Sequence, residues 1–186
     1  MRNTYYAPLV LFLAAFTTPA MCSESGTSPP LTAHAVSEEH GHLAALAGTW
    51  NVKQSLWLKH GEAPQVDAGT AEFILELGGR ALRQDLRVHS STPFQGIGIT
   101  GYDNVTRTWF TGWTDVGYTD LMLLRGVRDE GANMWRFSGT MHDPDGATIP
   151  TREELSILDK DHLIARYFET KQGREALVVQ LEYSRR

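Results

Sequence analysis

The residues best suited to chemistry stand in one stretch, Trp109-Phe110-Thr111-Gly112-Trp113-Thr114-Asp115, with Tyr118 close behind. In an extended chain successive side chains alternate between faces, so Trp109, Thr111, Trp113 and Asp115 share one face. Two indoles beside a carboxylate make an apolar wall with a polar handle, which is the lining of a small-molecule site. The same pattern is satisfied if both rings pack into a core and Asp115 merely starts the next turn. Arg80, Arg83, Arg87 and Arg152 are candidate counter-charges for an acidic ligand, although arginine on an outer strand face is commoner. If the site turns over a substrate, Asp115 is the candidate general base, raised in pKa by burial, with Arg80 or Arg152 steadying an anionic intermediate.

Other motifs yield to simpler readings. Gly96-Ile97-Gly98-Ile99-Thr100-Gly101 spells G-x-G-x-x-G, but a dinucleotide site needs that motif to leave a strand and open a helix. Here Tyr102-Asp103-Asn104 turns straight into another strand, so the glycines mark a wall that bends or is closely approached. Asp143-Pro144-Asp145-Gly146 resembles the opening of a calcium loop with Glu154 at the twelfth position, yet Thr148 stands where that loop requires glycine. The chain has seven histidines. His40 and His42 point in different directions on a helix, and His34, His60, His89, His142 and His162 fall in the tether, turns or strand ends. No pair has metal-site spacing, and no metal or cofactor is assigned. There is no G-x-S-x-G for hydrolysis. Asn104-Val105-Thr106 is a glycosylation sequon that matters only in a eukaryotic secretory host.

Composition bounds what these residues can serve. The chain has 186 residues with 17 Lys+Arg against 22 Asp+Glu, a formal net charge of −5. That length is one domain with a substantial core, and that charge argues against coating nucleic acid or an anionic membrane. One cysteine excludes a disulfide framework or a multi-cysteine zinc site. Arg2, the apolar run Ala7–Phe16 and the small residues of Thr17–Ser23 read as a secretory signal peptide over residues 1–22, cleaved after Ala20 or Cys22. An apolar run of about 10 residues is too short to span a bilayer, which needs ~20. Met21 fits a lipoprotein signal poorly, so lipidation at Cys22 is the minority reading. Residues 23–36, rich in Ser, Thr and Pro, read as a flexible tether to a domain at 37–186. Localisation is then secreted or periplasmic.

Ser37 followed by Glu38-Glu39 starts a helix that Gly48 stops. From Thr49 onward hydrophobic residues recur with period two between turns rich in Gly, Asp, Asn and Pro. Trp50, Val52, Leu56 and Leu58 share a face, as do Ala71, Phe73, Leu75 and Leu77, and then Leu82, Leu86 and Val88. The series continues at 95–102, 107–114, 118–126, 134–141, 148–158, 163–170 and 175–184. About ten strands joined by tight turns predict an all-β, antiparallel up-and-down barrel with one short N-terminal helix, closed so that no edge is left to aggregate. A barrel of that size is wider than one that side chains fill, so an interior cavity is expected.

Leu46-Ala47-Gly48-Thr49-Trp50, at the helix-to-strand junction, resembles the G-x-W signature of the calycin superfamily, which includes lipocalins and nitrobindin-like barrels. In lipocalins that tryptophan packs at the closed end beneath a basic residue of the last strand, which the resemblance assigns here to Trp50 and Arg185. The run from His40 to Arg186 resembles the bacterial domain of unknown function 1579 family. The matching pieces are Gly48-Thr49-Trp50, Gly78-Gly79-Arg80, Gly96 through Gly101-Tyr102-Asp103, Trp113-x-Asp115, Asp143-Pro144-x-Gly146 and Tyr183-x-Arg185. This resemblance implies a lipocalin-like barrel and no established activity. Nitrobindin-like relatives imply a haem or nitric-oxide binder, but their iron ligand is a histidine near the C-terminal end. The last strand here has none, leaving His142 or His162.

The leading expectation is a barrel that binds a small, largely apolar ligand through Trp109, Trp113, Asp115 and Tyr118, with Arg80 and Arg152 as counter-charges. An enzyme using Asp115, a haem barrel and a filled structural module are the rivals. The partner is a small molecule, not nucleic acid, with no stable membrane insertion after signal removal and the oligomeric state open. Which strand faces point inward is also open, since a slip of one residue inverts every assignment.

Overall fold

The computed structural model describes residues 33–186. The signal peptide assigned to residues 1–22, and the tether up to residue 32, lie outside the described residues. One helix precedes ten strands: α1 (Glu38–Ala44), β1 (Gly48–Leu56), β2 (Gln65–Glu76), β3 (Ala81–His89), β4 (Phe94–Asp103), β5 (Thr108–Asp115), β6 (Tyr118–Asp129), β7 (Met134–His142), β8 (Thr148–Asp159), β9 (His162–Lys171) and β10 (Arg174–Arg185). Each strand pairs antiparallel with its sequence neighbours, and β10 pairs with β1 to close the barrel. Closure is in register from Trp50 opposite Arg185 to Leu56 opposite Val179.

The helix is shorter than the expected run to Gly48. Ser37 begins it, its backbone N–H donating to His40 Nδ1 at 3.1 Å. It stops at Ala44 because Leu46 and Trp50 must both enter the end of the barrel. Each is fully buried, and the Trp50 indole N–H donates to the Leu46 carbonyl at 3.0 Å. Arg185 fastens this junction. Its guanidinium lies 4.1 Å from the Trp50 ring centroid and donates to the carbonyls of Ala45 (2.9 Å), Ala47 (2.8 Å) and Lys160 (2.9 Å). Ala45 and Ala47 carry carbonyls just past the helix, where intrahelical donors have run out. Gly48 leaves room for this contact, since a Cβ there would stand 2.6 Å from Arg185 Nη1.

Inside, the period-two pattern sends large rings toward the helix-covered end. Trp109 meets Trp135 edge to face at 5.4 Å, and Phe73 meets Tyr183 at 5.6 Å. Each such side chain contributes about 1.5–3 kcal/mol on full burial. They also fill most of the width that ten strands create. The interior cavity is about 20 Å³, room for one water-sized group, and so far smaller than strand number alone suggests. Leu58, Leu75 and Leu77, placed on the apolar face by alternation, lie at the barrel's ends and are exposed.

Candidate functional site

The cavity lies in the middle layer of the barrel, and the side chains around it are unlike the rest of the interior. Glu153 comes from β8, where Ile149, Thr151, Glu153 and Leu155 alternate inward while Arg152 and Glu154 point out. It stands between Phe137 on β7 and Tyr167 on β9. Only 6% of Glu153 is exposed, and the Tyr167 hydroxyl donates to its Oε1 at 3.3 Å. Burial disfavours the charged carboxylate and pushes its pKa up to about 7, the Tyr167 hydrogen bond opposing the rise. Burial likewise pushes the Tyr167 and Tyr183 phenols well up, so both remain neutral. Gln84 donates to the Tyr183 hydroxyl at 2.9 Å, and Thr100 pairs with Thr111 at 3.2 Å. All of these side chains line the same cavity.

Trp113 forms the side of the cavity away from the helix. Its indole N–H donates to Asp115 Oδ2 at 2.8 Å, while Asp115 Oδ1 accepts the Gly117 backbone N–H at 2.8 Å. The ring stacks on Phe94 with centroids 6.4 Å apart and planes 12° apart. Gly96 and Gly98 let it lie flat against β4, because a Cβ at Gly96 would overlap the indole and one at Gly98 would stand 3.1 Å from it. The first two glycines of the G-x-G-x-x-G string are therefore the seat of Trp113. The third, Gly101, accommodates Phe110.

Residues 35–185 match a family described as "Protein of unknown function (DUF1579)". The chain belongs to this family. No curated protein matches the sequence. Among solved structures the chain is similar to a redesigned beta barrel, at 13% identity over 78% of this chain and 95% of that one, with a TM-score of 0.40. It is also similar to a fluorescence-activating beta barrel of de novo design, at 18% identity over 77% and 96% of the two chains, with a TM-score of 0.41.

In this DUF1579 barrel the residues singled out from sequence separate. Trp113 lines the cavity, and Asp115 holds its indole. Trp109 is buried among Tyr102 and Trp135 in the helix-covered half, away from the cavity lining. The Tyr118 hydroxyl accepts the His142 backbone N–H at 2.9 Å at the far rim. Arg80 lies beside the helix end, donating to the carbonyls of Leu77 and His34, so it ties residues 33–36 to the barrel. Arg152 is on the outer face, over the Phe168 ring and paired with Glu154 and Glu175. Neither arginine reaches the interior: Arg80 precedes β3, and Arg152 has the outward parity of β8. His142 and His162 are exposed and pair with Asp120 and Asp159. No group of three metal-ligating side chains occurs among the described residues.

Glu153 escaped the sequence reading because it sits in Arg152-Glu153-Glu154, a charge run that resembles a solvated face. The available signal was its parity with Ile149 and Leu155. The seat of Trp113 is testable. Gly96→Ala is expected to displace the indole, cost about 1–3 kcal/mol as an overpacked site does, and alter the near-ultraviolet dichroism. A urea midpoint and dichroism spectrum unchanged from the parent would remove the seat argument.

Proposed function

We propose that this DUF1579 barrel is a binding protein that holds a small, largely apolar molecule in the half of the barrel away from the helix. The observation that supports it is Glu153, a buried carboxyl that shares a cavity with Tyr167, Tyr183 and Gln84. Buried carboxyls destabilise a fold unless something pairs with them, and they concentrate where a ligand does so. The cavity of about 20 Å³ takes a polar head group. The apolar body rests on Phe94, Trp113, Met141 and Val179, which are only partly buried. We also propose that the chain is exported and works as a lipocalin-like carrier, on its signal-like first 22 residues and its G-x-W junction.

Native mass spectrometry of the protein from its own host tests this reading. The expected result is a one-to-one adduct that unfolding releases and Trp113→Ala loses. A bare mass from fresh protein, with no adduct regained in host extract, would contradict it.

A second reading is acid–base catalysis on the same barrel. It is favoured by the elevated pKa of Glu153, which suits proton transfer near neutrality, and makes Glu153 rather than Asp115 the general base. Loss of turnover with binding kept in Glu153→Gln supports this reading. Loss of binding supports the carrier.

A further inference from the structure

We infer that the ligand is a small organic cation, an amine whose ammonium group sits in the cavity against Glu153 with its apolar body extending past Trp113. This rests on the binding reading above and names the chemistry of its head group. Three observations carry it.

The first is the missing counter-charge. No lysine, arginine or histidine lines the cavity, and Tyr167 is the hydrogen-bond partner of Glu153 among the described residues. A buried carboxylate without a cation is costly, and a bound cation relieves that cost. The protein's own arginines on this strand pair face outward, where Arg152 is taken up by Glu154 and Glu175 and Arg166 by Gln180.

The second is size and surface. A cavity of about 20 Å³ matches an ammonium head, and a phosphate or sulfate would bring more negative charge against Glu153 with no cation in the lining to offset it. Its walls include the rings of Phe73, Trp113, Tyr167 and Tyr183, and aromatic faces attract cations.

The third is the field at the entrance. The loops and strand ends opposite the helix (residues 57–67, 89–94, 115–120, 142–148 and 169–175) bear eight carboxylates against three lysine or arginine side chains. The helix-covered end (37–48, 74–83, 101–109, 125–136, 157–164 and 184–186) bears eight against nine. Both lysines at the entrance are already paired, Lys59 with Glu62 and Lys171 with Glu169 and Asp143. An acidic mouth above a buried carboxyl concentrates cations and repels anions.

Affinity should then depend on pH through Glu153. Tyr167 on β9, Tyr183 on β10, Gln84 on β3 and Phe137 on β7 surround it, and no second group there titrates near neutrality. An amine needs the ionised carboxylate, so binding below about pH 7 must first expel a proton. The affinity of an amine should rise about tenfold from pH 6 to pH 8, and that of a neutral alcohol should not.

Calorimetric titration of the full-length protein with hexylamine, hexanol and hexanoate tests the assignment. At pH 8 hexylamine is expected to bind about tenfold or more tightly than hexanol, with hexanoate the weakest. Glu153→Gln should bring hexylamine down to the level of hexanol while hexanol binding persists, which also shows that the variant is folded. Hexanol or hexanoate binding as tightly as hexylamine overturns the cation assignment and leaves the binding barrel standing. So does a Glu153→Gln variant that still prefers the amine. Binding of none of the three overturns the assignment too, and the native-mass readout reports separately on whether the barrel holds anything.

Discussion

Glu153→Gln is expected to be more stable than the parent protein at pH 8 by about 3 kcal/mol, and the gain should vanish near pH 4. The sign follows from proton counting. The Glu153 carboxyl titrates at about 7 in the fold and at 4.5 when unfolded, so between these values the folded protein carries more protons than the unfolded chain. Below 4.5 both states are neutral and burial costs little. As pH rises to 7 the unfolded carboxyl ionises freely while the buried one resists, and stability falls with each unit. Above 7 the full cost is present. Glutamine is isosteric with the neutral acid, carries no charge and can still accept the Tyr167 hydrogen bond. Urea denaturation of both proteins at pH 4, 6 and 8 measures the difference, in which every other titrating group cancels. Equal stabilities at pH 8 would mean that Glu153 is solvated or paired, and the case for a functional carboxyl would go with it. A gain in stability on removing a side chain marks a site kept for function, because the fold alone has no use for that charge.

Arg185→Met is expected to cost about 3 kcal/mol. The guanidinium joins three segments: the helix exit through Ala45 and Ala47, the β8–β9 turn through Lys160, and β1 through the face of Trp50. Removing it leaves the Ala47 carbonyl, in a partly buried bond, and the exposed Ala45 and Lys160 carbonyls without a charged donor; hydrogen bonds to charged groups contribute about 1.5–3 kcal/mol each, though not additively. Methionine retains much of the apolar stem over Trp50 but none of the donors. Arg185→Lys should recover less than half of the loss, because one ammonium cannot reach carbonyls on two segments in fork geometry. Both variants are read from urea midpoints. A loss for methionine below about 0.5 kcal/mol, typical of an ordinary surface change, would show that the helix exit holds without this clamp.

The barrel itself was open to reading from the order of residues. Period-two alternation between turns such as Gly78-Gly79, Asp143-Pro144-Asp145-Gly146 and Gln172-Gly173 marks the strands, and ten such strands with tight turns have few ways to hide their edges except closure. The Trp50–Arg185 contact was foreshadowed by family resemblance rather than by physics, since 135 residues separate the pair in the chain. The site was legible only in part. Trp113 and Asp115 share a face by local geometry, and their hydrogen bond needs nothing more than a strand. Glu153 is hidden by its charged neighbours, and an arginine such as Arg152 reads alike on either face of a strand.

Local sequence determined what is local: strand positions, turns, the helix start and the partnership of residues two apart. Tertiary structure decided which parity faces inward, because that depends on how ten strands of fixed tilt close and on where the largest rings fit. It set Trp109 into the core and Trp113 onto the cavity, although both have the same parity on the same strand. It also placed Glu153 beside Tyr167 and Arg152 on the outer face, over Phe168. Glu153 acquires its raised pKa from the density of matter around it, and that density is contributed by strands far apart in the chain.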